Sequence, residues 1–286
     1  MKQTFYILIF ISIFGAAQAQ MYRLPLNQDD LIGELFIIKA NKGDNLHDIA
    51  QEYGISYQEL RIANPGVKEV IRKSREIIIP ALFILPPENM RQGIVVNTAE
   101  PRLYYFTPDG KYVFTAPVSV GRGGWRTPLF EGNVVKKAAR PIWIPPESIR
   151  SHYQTKYGVD LPETVGPGPD NPLGNYAIYL SFPRIIIHGT NDERSIGKYA
   201  SSGCIRMYNK DIQLLFRMIG PSETVTIIHH SVKIGTQNGY IFIETHPAYA
   251  HHDHELIKNN IDHSDPVPFN APKRTQSNGI PSQLKN

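Results

Sequence analysis

The chain has 286 residues, 41% of them apolar and 20% charged, with a formal net charge of +4 at neutral pH. That length holds one large domain plus a small one, and that apolar content excludes a wholly disordered chain. The charge is mild and no Lys/Arg block occurs, which argues against nucleic acid as a partner and suits an anionic polymer.

The chain opens with Lys2, an almost unbroken apolar run over residues 5–14, and Ala17-Gln18-Ala19. A positive start, a short apolar stretch and a small-x-small pattern predict a cleaved signal peptide over residues 1–19 and export. An uncleaved anchor is the alternative. No cysteine follows the cleavage site to accept a lipid, and no later stretch is long and apolar enough to span a bilayer. Exported proteins use cysteines in pairs, yet this chain has one, Cys204. It is either a buried inert thiol or a working one.

Residues 20–33 read as a polar lead-in. Residues 35–80 then read as a compact unit of strand, helix, helix, strand. Phe36-Ile37-Ile38 suits a strand, and Gly43-Asp44 a turn with Asp44 as N-cap. Leu46, Ile49, Ala50 and Tyr53 recur on one helical face, which Gly54 stops. Ser56 and Glu59 form a capping box for a second helix carrying Leu60 and Ala63, ended by Asn64-Pro65-Gly66. Ile77-Ile78-Ile79-Pro80 closes the unit. These residues, Gly43-Asp44-Asn45-Leu46, Tyr53-Gly54-Ile55-Ser56 and Asn64-Pro65-Gly66 above all, resemble a LysM module. The resemblance implies binding to glycan strands containing N-acetylglucosamine, such as those of peptidoglycan.

After a linker around Pro86-Pro87, residues 93–230 read as a mainly β body, a mixed sandwich or barrel with few helices. Ile94-Val95-Val96 is a strand, and residues 102–106 and 111–120 flank the hairpin turn Thr107-Pro108-Asp109-Gly110. Tyr104, Tyr105, Phe106, Tyr112 and Phe114 suit a half-buried pleated surface. Further strands are expected at residues 176–180, 185–188, 225–229 and 240–244. One clear helix is expected at residues 211–219, with Asn209 as N-cap and Ile212, Leu215, Phe216 and Ile219 as its apolar stripe. Residues 231–246 read as a C-terminal strand extension, and residues 247–286 as a disordered polar tail.

The chemistry gathers at two places. Ile185-Ile186-Ile187-His188-Gly189-Thr190 is an apolar strand that delivers a histidine at its end. Sixteen positions after His188 stands Cys204, within Ser201-Ser202-Gly203-Cys204-Ile205-Arg206. A thiol needs a base or a positive neighbour to become a nucleophile near neutral pH, and His188 is a candidate base. Gly203 permits a tight turn and close approach of a backbone N–H to a developing oxyanion. Arg206 is either a carboxylate clamp or a structural salt-bridge partner. A core histidine and a buried thiol would share this spacing.

Residues 93–229 resemble the L,D-transpeptidase catalytic domain of the YkuD type. The resemblance rests on His188-Gly189-Thr190-Asn191 and Ser201-Ser202-Gly203-Cys204-Ile205-Arg206, in order and spacing, with support from Gly121, Thr127-Pro128 and residues 168–174. Together with the LysM unit, the chain is similar to periplasmic L,D-transpeptidases. The resemblance implies Cys204 as nucleophile and His188 as base, with Gly189, Ser202, Gly203 and Arg206 supporting the oxyanion or substrate, and no metal or cofactor. The implied partners are tetrapeptide stems of peptidoglycan and, as acyl acceptor, a second stem or an outer-membrane lipoprotein. Many family members carry histidine where this chain has Ser202, which leaves a second-histidine contribution unfilled. A peptidase using water, or a non-catalytic glycan-binding protein, are the alternatives.

Other groups are less specific. Gly121-Arg122-Gly123-Gly124 lacks the ending of a phosphate loop. His246, His251, His252, His254 and His263 form a tract that suits either metal binding or a solvated tail. Asp170 and Asn171 are candidates for a substrate groove, Trp143 for core or a stacking surface, and His229-His230 for a structural role.

Overall fold

The computed structural model describes residues 21–26 and 29–246, so the expected signal peptide and C-terminal tail lie outside the described residues. The lead-in is the first departure from expectation. Met21–Arg23 forms strand β1, paired antiparallel with the main body at Met21↔Phe114. The next strand starts at Leu31, and Leu31 and Ile32 are buried. Burial of those two side chains outweighs the polar composition around them.

The small unit has the order read from the sequence: β2 (Leu31–Ala40), α1 (Leu46–Glu52), α2 (Tyr57–Ala63) and β3 (Arg75–Ile84). β2 and β3 pair antiparallel from Leu31↔Ile84 to Ala40↔Arg75. Leu46, Ile49 and Ala50 turn inward from α1. Its N-cap is Asn45 rather than Asp44, because Asn45 Oδ1 accepts from His47 N at 2.7 Å. Asp44 closes the preceding turn by accepting from Asn41 N. The capping box at α2 is present in both halves. Asn64 then ties the end of α2 to β3, donating to Ile78 O at 2.7 Å and accepting from Ile78 N at 2.8 Å.

The main body continues with β4 (Gly93–Asn97), β5 (Arg102–Phe106), β6 (Tyr112–Pro117), β7 (Val120–Gly121), β8 (Phe130–Ala139), α3 (Glu147–Tyr157) and β9 (Tyr176–Leu180). β10 (Ile186–His188), β11 (Tyr199–Ser201), β12 (Ile205–Arg206), α4 (Asn209–Met218) and β13 (Thr224–Ile228) complete it. One nine-stranded mixed sheet runs in the order β1-β6-β5-β4-β13-β8-β9-β10-β12. It curls back on itself: Ser119, just beyond β6, exchanges both backbone hydrogen bonds with Arg206 of the far strand, at 2.8 and 2.9 Å. The mainly β, sandwich-or-barrel expectation therefore holds, with a small βααβ unit beside it.

Beside the short strands β1, β11 and β12, two longer elements escaped the sequence reading. β8 is a ten-residue strand between β13 and β9, yet mostly solvated, so its residues show little apolar alternation. α3 buries only Tyr153, so it has almost no apolar stripe, but it starts after Pro145-Pro146 and ends at Gly158 in the left-handed region. Proline before and glycine after a helix are its remaining sequence signals. In α4 the N-cap is Tyr208, and Asn209 is already helical.

The sheet is covered on both faces, which explains the continuous apolar runs in β4 and β5. Ile94, Val96, Leu103 and Tyr105 join α4's Ile212 and Leu215 in one core. Val95, Tyr104, Phe106 and Val113 point the other way, into a core shared with Leu46, Leu60, Ile77 and Ile79 of the small unit. The small unit is therefore packed on the body.

The C-terminal extension is a hairpin, β14 (Val232–Gln237) and β15 (Tyr240–Thr245). It closes a buried ionic cluster. Arg102, fully buried, reaches Glu59 of α2 at 3.1 Å and Glu100 at 3.4 Å. Lys233 of β14 joins Glu100 at 2.8 Å and Glu244 of β15 at 3.0 Å. Burial works against the Arg102 charge, but Glu59, Tyr104 and Glu100 outweigh it and raise the guanidinium's pKa.

Candidate active site

Two short strands carry the expected chemistry. β10 and β12 pair in parallel, with Ile187 opposite Ile205 and His188 opposite Arg206. Side chains alternate along a strand. Ile187 and Ile205, both fully buried, belong to the inner core. His188 and Arg206 take the other face, as does Cys204, two residues before Arg206. All three line one cleft of about 440 Å³, walled by apolar groups such as Ile149, Tyr153 and Leu173.

His188 is only 4% exposed. Its Nδ1 lies 2.6 Å from the Gly189 carbonyl. A carbonyl only accepts, so this contact assigns the hydrogen to Nδ1. Burial first, and the Arg206 guanidinium second, push the pKa of His188 down to about 3, against the carbonyls of Gly189 and Pro172. The ring is therefore neutral near pH 7 and able to take a proton. Cys204 is half-buried, and its thiol donates to the Arg184 carbonyl at 3.4 Å. Burial pushes the thiol up, while a backbone bond at Ile186 and the Arg206 charge work the other way. The resting cleft is therefore lined by a protonated thiol and a neutral imidazole.

The turn before Cys204 is fixed from both sides. Gly203 has φ +103°, a conformation that favours glycine. Ser201 Oγ accepts from Gly203 N at 3.2 Å and donates to the Cys204 carbonyl. Thr127 Oγ1 donates to the Gly203 carbonyl at 2.9 Å and accepts from Gly121 N at 2.8 Å. The Gly203 N–H expected at an oxyanion thus points to Ser201 in the resting protein. Ser202 is half-buried and lines the cleft. Gly189 is needed for close approach, because a Cβ there would lie 2.3 Å from Asn209 Oδ1. Asn209 holds the exit of β10, accepting from Thr190 N at 3.3 Å and donating to Thr190 O at 2.7 Å.

Arg206 is buried and faces the cleft, as a carboxylate clamp requires. The loop over residues 168–174 departs from expectation. Asn171 is fully buried, donating to Pro141 O, Val165 O and Gly166 O and accepting from Leu173 N. Every polar atom of Asn171 serves the loop, so Pro172 and Leu173 reach the cleft in its place. Asp170 is exposed. Trp143 lines the cleft, as does α3 through Ile149 and Tyr153. In the Gly121–Gly124 segment, Gly121 N donates to Thr127 Oγ1 and Arg122 N to Ser201 O at 3.0 Å. His229 is structural, its Nδ1 3.0 Å from Thr98 Oγ1.

Thr127, Arg184, Asn209 and the residues of α3 were not singled out for the site. Thr127 carried a signal, since Thr-Pro follows a glycine-rich turn. Arg184 acts through its main-chain carbonyl at φ +70°, which no side-chain pattern announces. Among the described residues, Glu100, Glu244 and His246 bring potential metal-ligand atoms within 4.8 Å of one another. The Lys233 ammonium already bonds both carboxylates there and supplies the positive charge.

Comparison with known proteins now gives the class. The L,D-transpeptidase catalytic domain matches residues 91–228, and the LysM domain matches residues 38–70. The chain is 37% identical over 236 residues to the probable L,D-transpeptidase YcfS of Escherichia coli (strain K12), covering 80% of this chain and 73% of that protein. It is 36% identical over 266 residues to the probable L,D-transpeptidase ErfK/SrfK of the same organism, covering 91% and 84%. The chain belongs to the L,D-transpeptidase family, and is an acyltransferase with a peptidoglycan-binding LysM domain. The solved catalytic domain of the E. faecium L,D-transpeptidase is similar at 18% identity, covering 48% of this chain and 96% of that one, with a TM-score of 0.36. No helix of the described residues is long and apolar enough to cross a membrane.

Proposed function

We propose that this enzyme works in the periplasm, after export by the N-terminal segment, and transfers a peptidoglycan stem to an amine through a thioester on Cys204. The observation that carries the reading is the parallel register of β10 and β12, which sets His188, Arg206 and Cys204 on one face of the sheet and at one cleft. As the stem enters, His188 takes the thiol proton and the sulfur attacks the carbonyl of the L-centre of diaminopimelate. A neutral imidazole is the form this step needs. An imidazolium beside Arg206 is a strong acid, so it gives its proton to the departing D-Ala amine as the C–N bond breaks. The acceptor amine then loses a proton to His188 and attacks the thioester; the C–S bond breaks and His188 returns the proton to the departing Cys204 sulfur. Ser202 supports the developing oxyanion, the Gly203 turn presents Cys204 to the cleft, Gly189 fixes the base, and Arg206 holds a stem carboxylate. The acceptor is the side-chain amine of a second stem or a lysine of an outer-membrane lipoprotein.

Incubation with purified tetrapeptide stems tests the reading. It predicts released D-Ala and cross-linked dimers, an acyl-enzyme mass on the wild type, and neither with Cys204→Ala. Turnover by Cys204→Ala overturns it. Shortened stems without dimers assign water as the acceptor.

A further inference from the structure

The segment between His188 and Cys204 touches the LysM unit. Glu193 stands there, in a short 3-10 turn. Its Oε2 accepts from Gln51 Nε2 of α1 at 3.0 Å. Its Oε1 accepts from Asn209 N at 3.3 Å and from Asn209 Nδ2 at 3.4 Å. Asn209 grips Thr190 by both its N–H and its carbonyl. One residue earlier, the Gly189 carbonyl holds His188 Nδ1. Hydrogen bonds and the main chain thus form an unbroken path from the LysM unit to the imidazole. The dock is close on either side of it. Lys210 Nζ donates to the Gln51 carbonyl, and a Cβ on Gly197 would lie 2.2 Å from Ser56 Cβ.

We infer that Glu193 is a positioning residue for the base. By holding Gln51 with one oxygen and Asn209 with the other, it fixes the Gly189 carbonyl that aims the His188 ring. The LysM unit then supports the chemistry itself, beyond carrying the enzyme to the wall. The inference rests on the reading of His188 as base. A carboxylate suits this place because both its oxygens accept, whereas a glutamine has one accepting oxygen and serves both partners only if the Gln51 amide turns over.

The test uses the full chain and a soluble tetrapeptide stem without glycan, so that capture of the wall plays no part. Glu193→Ala and Gln51→Ala each lower kcat about tenfold and leave KM within about twofold, as loss of orientation alone predicts. The double variant falls no further than Glu193→Ala, because the two residues act through one path. Glu193→Gln retains one of the two bonds and falls between wild type and Glu193→Ala. Amide hydrogen exchange at Thr190, whose N–H is bound by Asn209, speeds up in Glu193→Ala while exchange at β4 is unchanged. If kcat stays within about twofold in both single variants, if KM alone rises, or if Thr190 exchange is unaltered, the inference is overturned. A wild type inactive on stems overturns the proposed function instead, and Thr190 exchange still reads the path.

Discussion

Cys204 and His188 are each held in the uncharged form, for a shared reason. Burial disfavours both the thiolate and the imidazolium, while Arg206 favours one and opposes the other. Under the proposed mechanism, charge separates only when substrate arrives. Alkylation of Cys204 by iodoacetamide should be slow at pH 7 and still rising above pH 9 in the free enzyme. A rate that levels off near neutrality would contradict this. His188 also makes stability depend on pH. Below about pH 6.5 the unfolded chain binds a proton at this histidine, and the folded protein refuses it until about pH 3. Stability is lost as pH falls through that window, by at most about 1.4 kcal/mol per pH unit from this group. His188→Asn should lose less stability than wild type between pH 6.5 and 4.5 in urea titrations. Equal losses would show that the ring charges without penalty.

At the scale of elements, the site depends on two strand ends and the turn between β11 and β12. Gly203→Ala forces a Cβ into φ +103°, although the nearest heavy atom, Trp125 O, is 3.6 Å from it. The cost is conformational, on the order of 1–2 kcal/mol. Urea denaturation should show that modest loss together with a much larger fall in activity, because the turn aims Cys204. Retained activity would mean that the turn need not be held. Much of this was legible beforehand. The alternation Ile187-His188 and Cys204-Ile205-Arg206 encodes which side chains share a face, and the capping box at Ser56 encodes the start of α2. What escaped notice lacks an apolar period. α3 walls the cleft with one buried residue, β8 is largely solvated, and Asn209 reads as a cap until its carboxamide is seen gripping Thr190. Long-range contacts decided those three, and local sequence does not report them.

At the scale of the whole molecule, three parts are locked by one buried cluster. Glu59 belongs to the LysM unit, Glu100 and Arg102 to the body, and Lys233 and Glu244 to the terminal hairpin. Without Lys233, the fully buried Glu100 keeps only Arg102 as an opposing charge, at 3.4 Å. Lys233→Met should destabilise the protein by about 3–5 kcal/mol in urea denaturation, with Glu100 left in a site that excludes solvent. A loss under about 1 kcal/mol would mean that water enters the cluster.

The shared core between the LysM unit and the sheet has one more result. Domains joined by a slack linker sample many separations, and the linker's length sets how often both sites engage. Here Tyr104 and Phe106 are packed against Leu60 and Ile79, so that freedom is gone. Under the proposed function, a glycan strand held by the LysM unit would lie at a set distance and angle from Cys204. The enzyme carries its own ruler, and which stems along the strand come within reach is decided by a hydrophobic core.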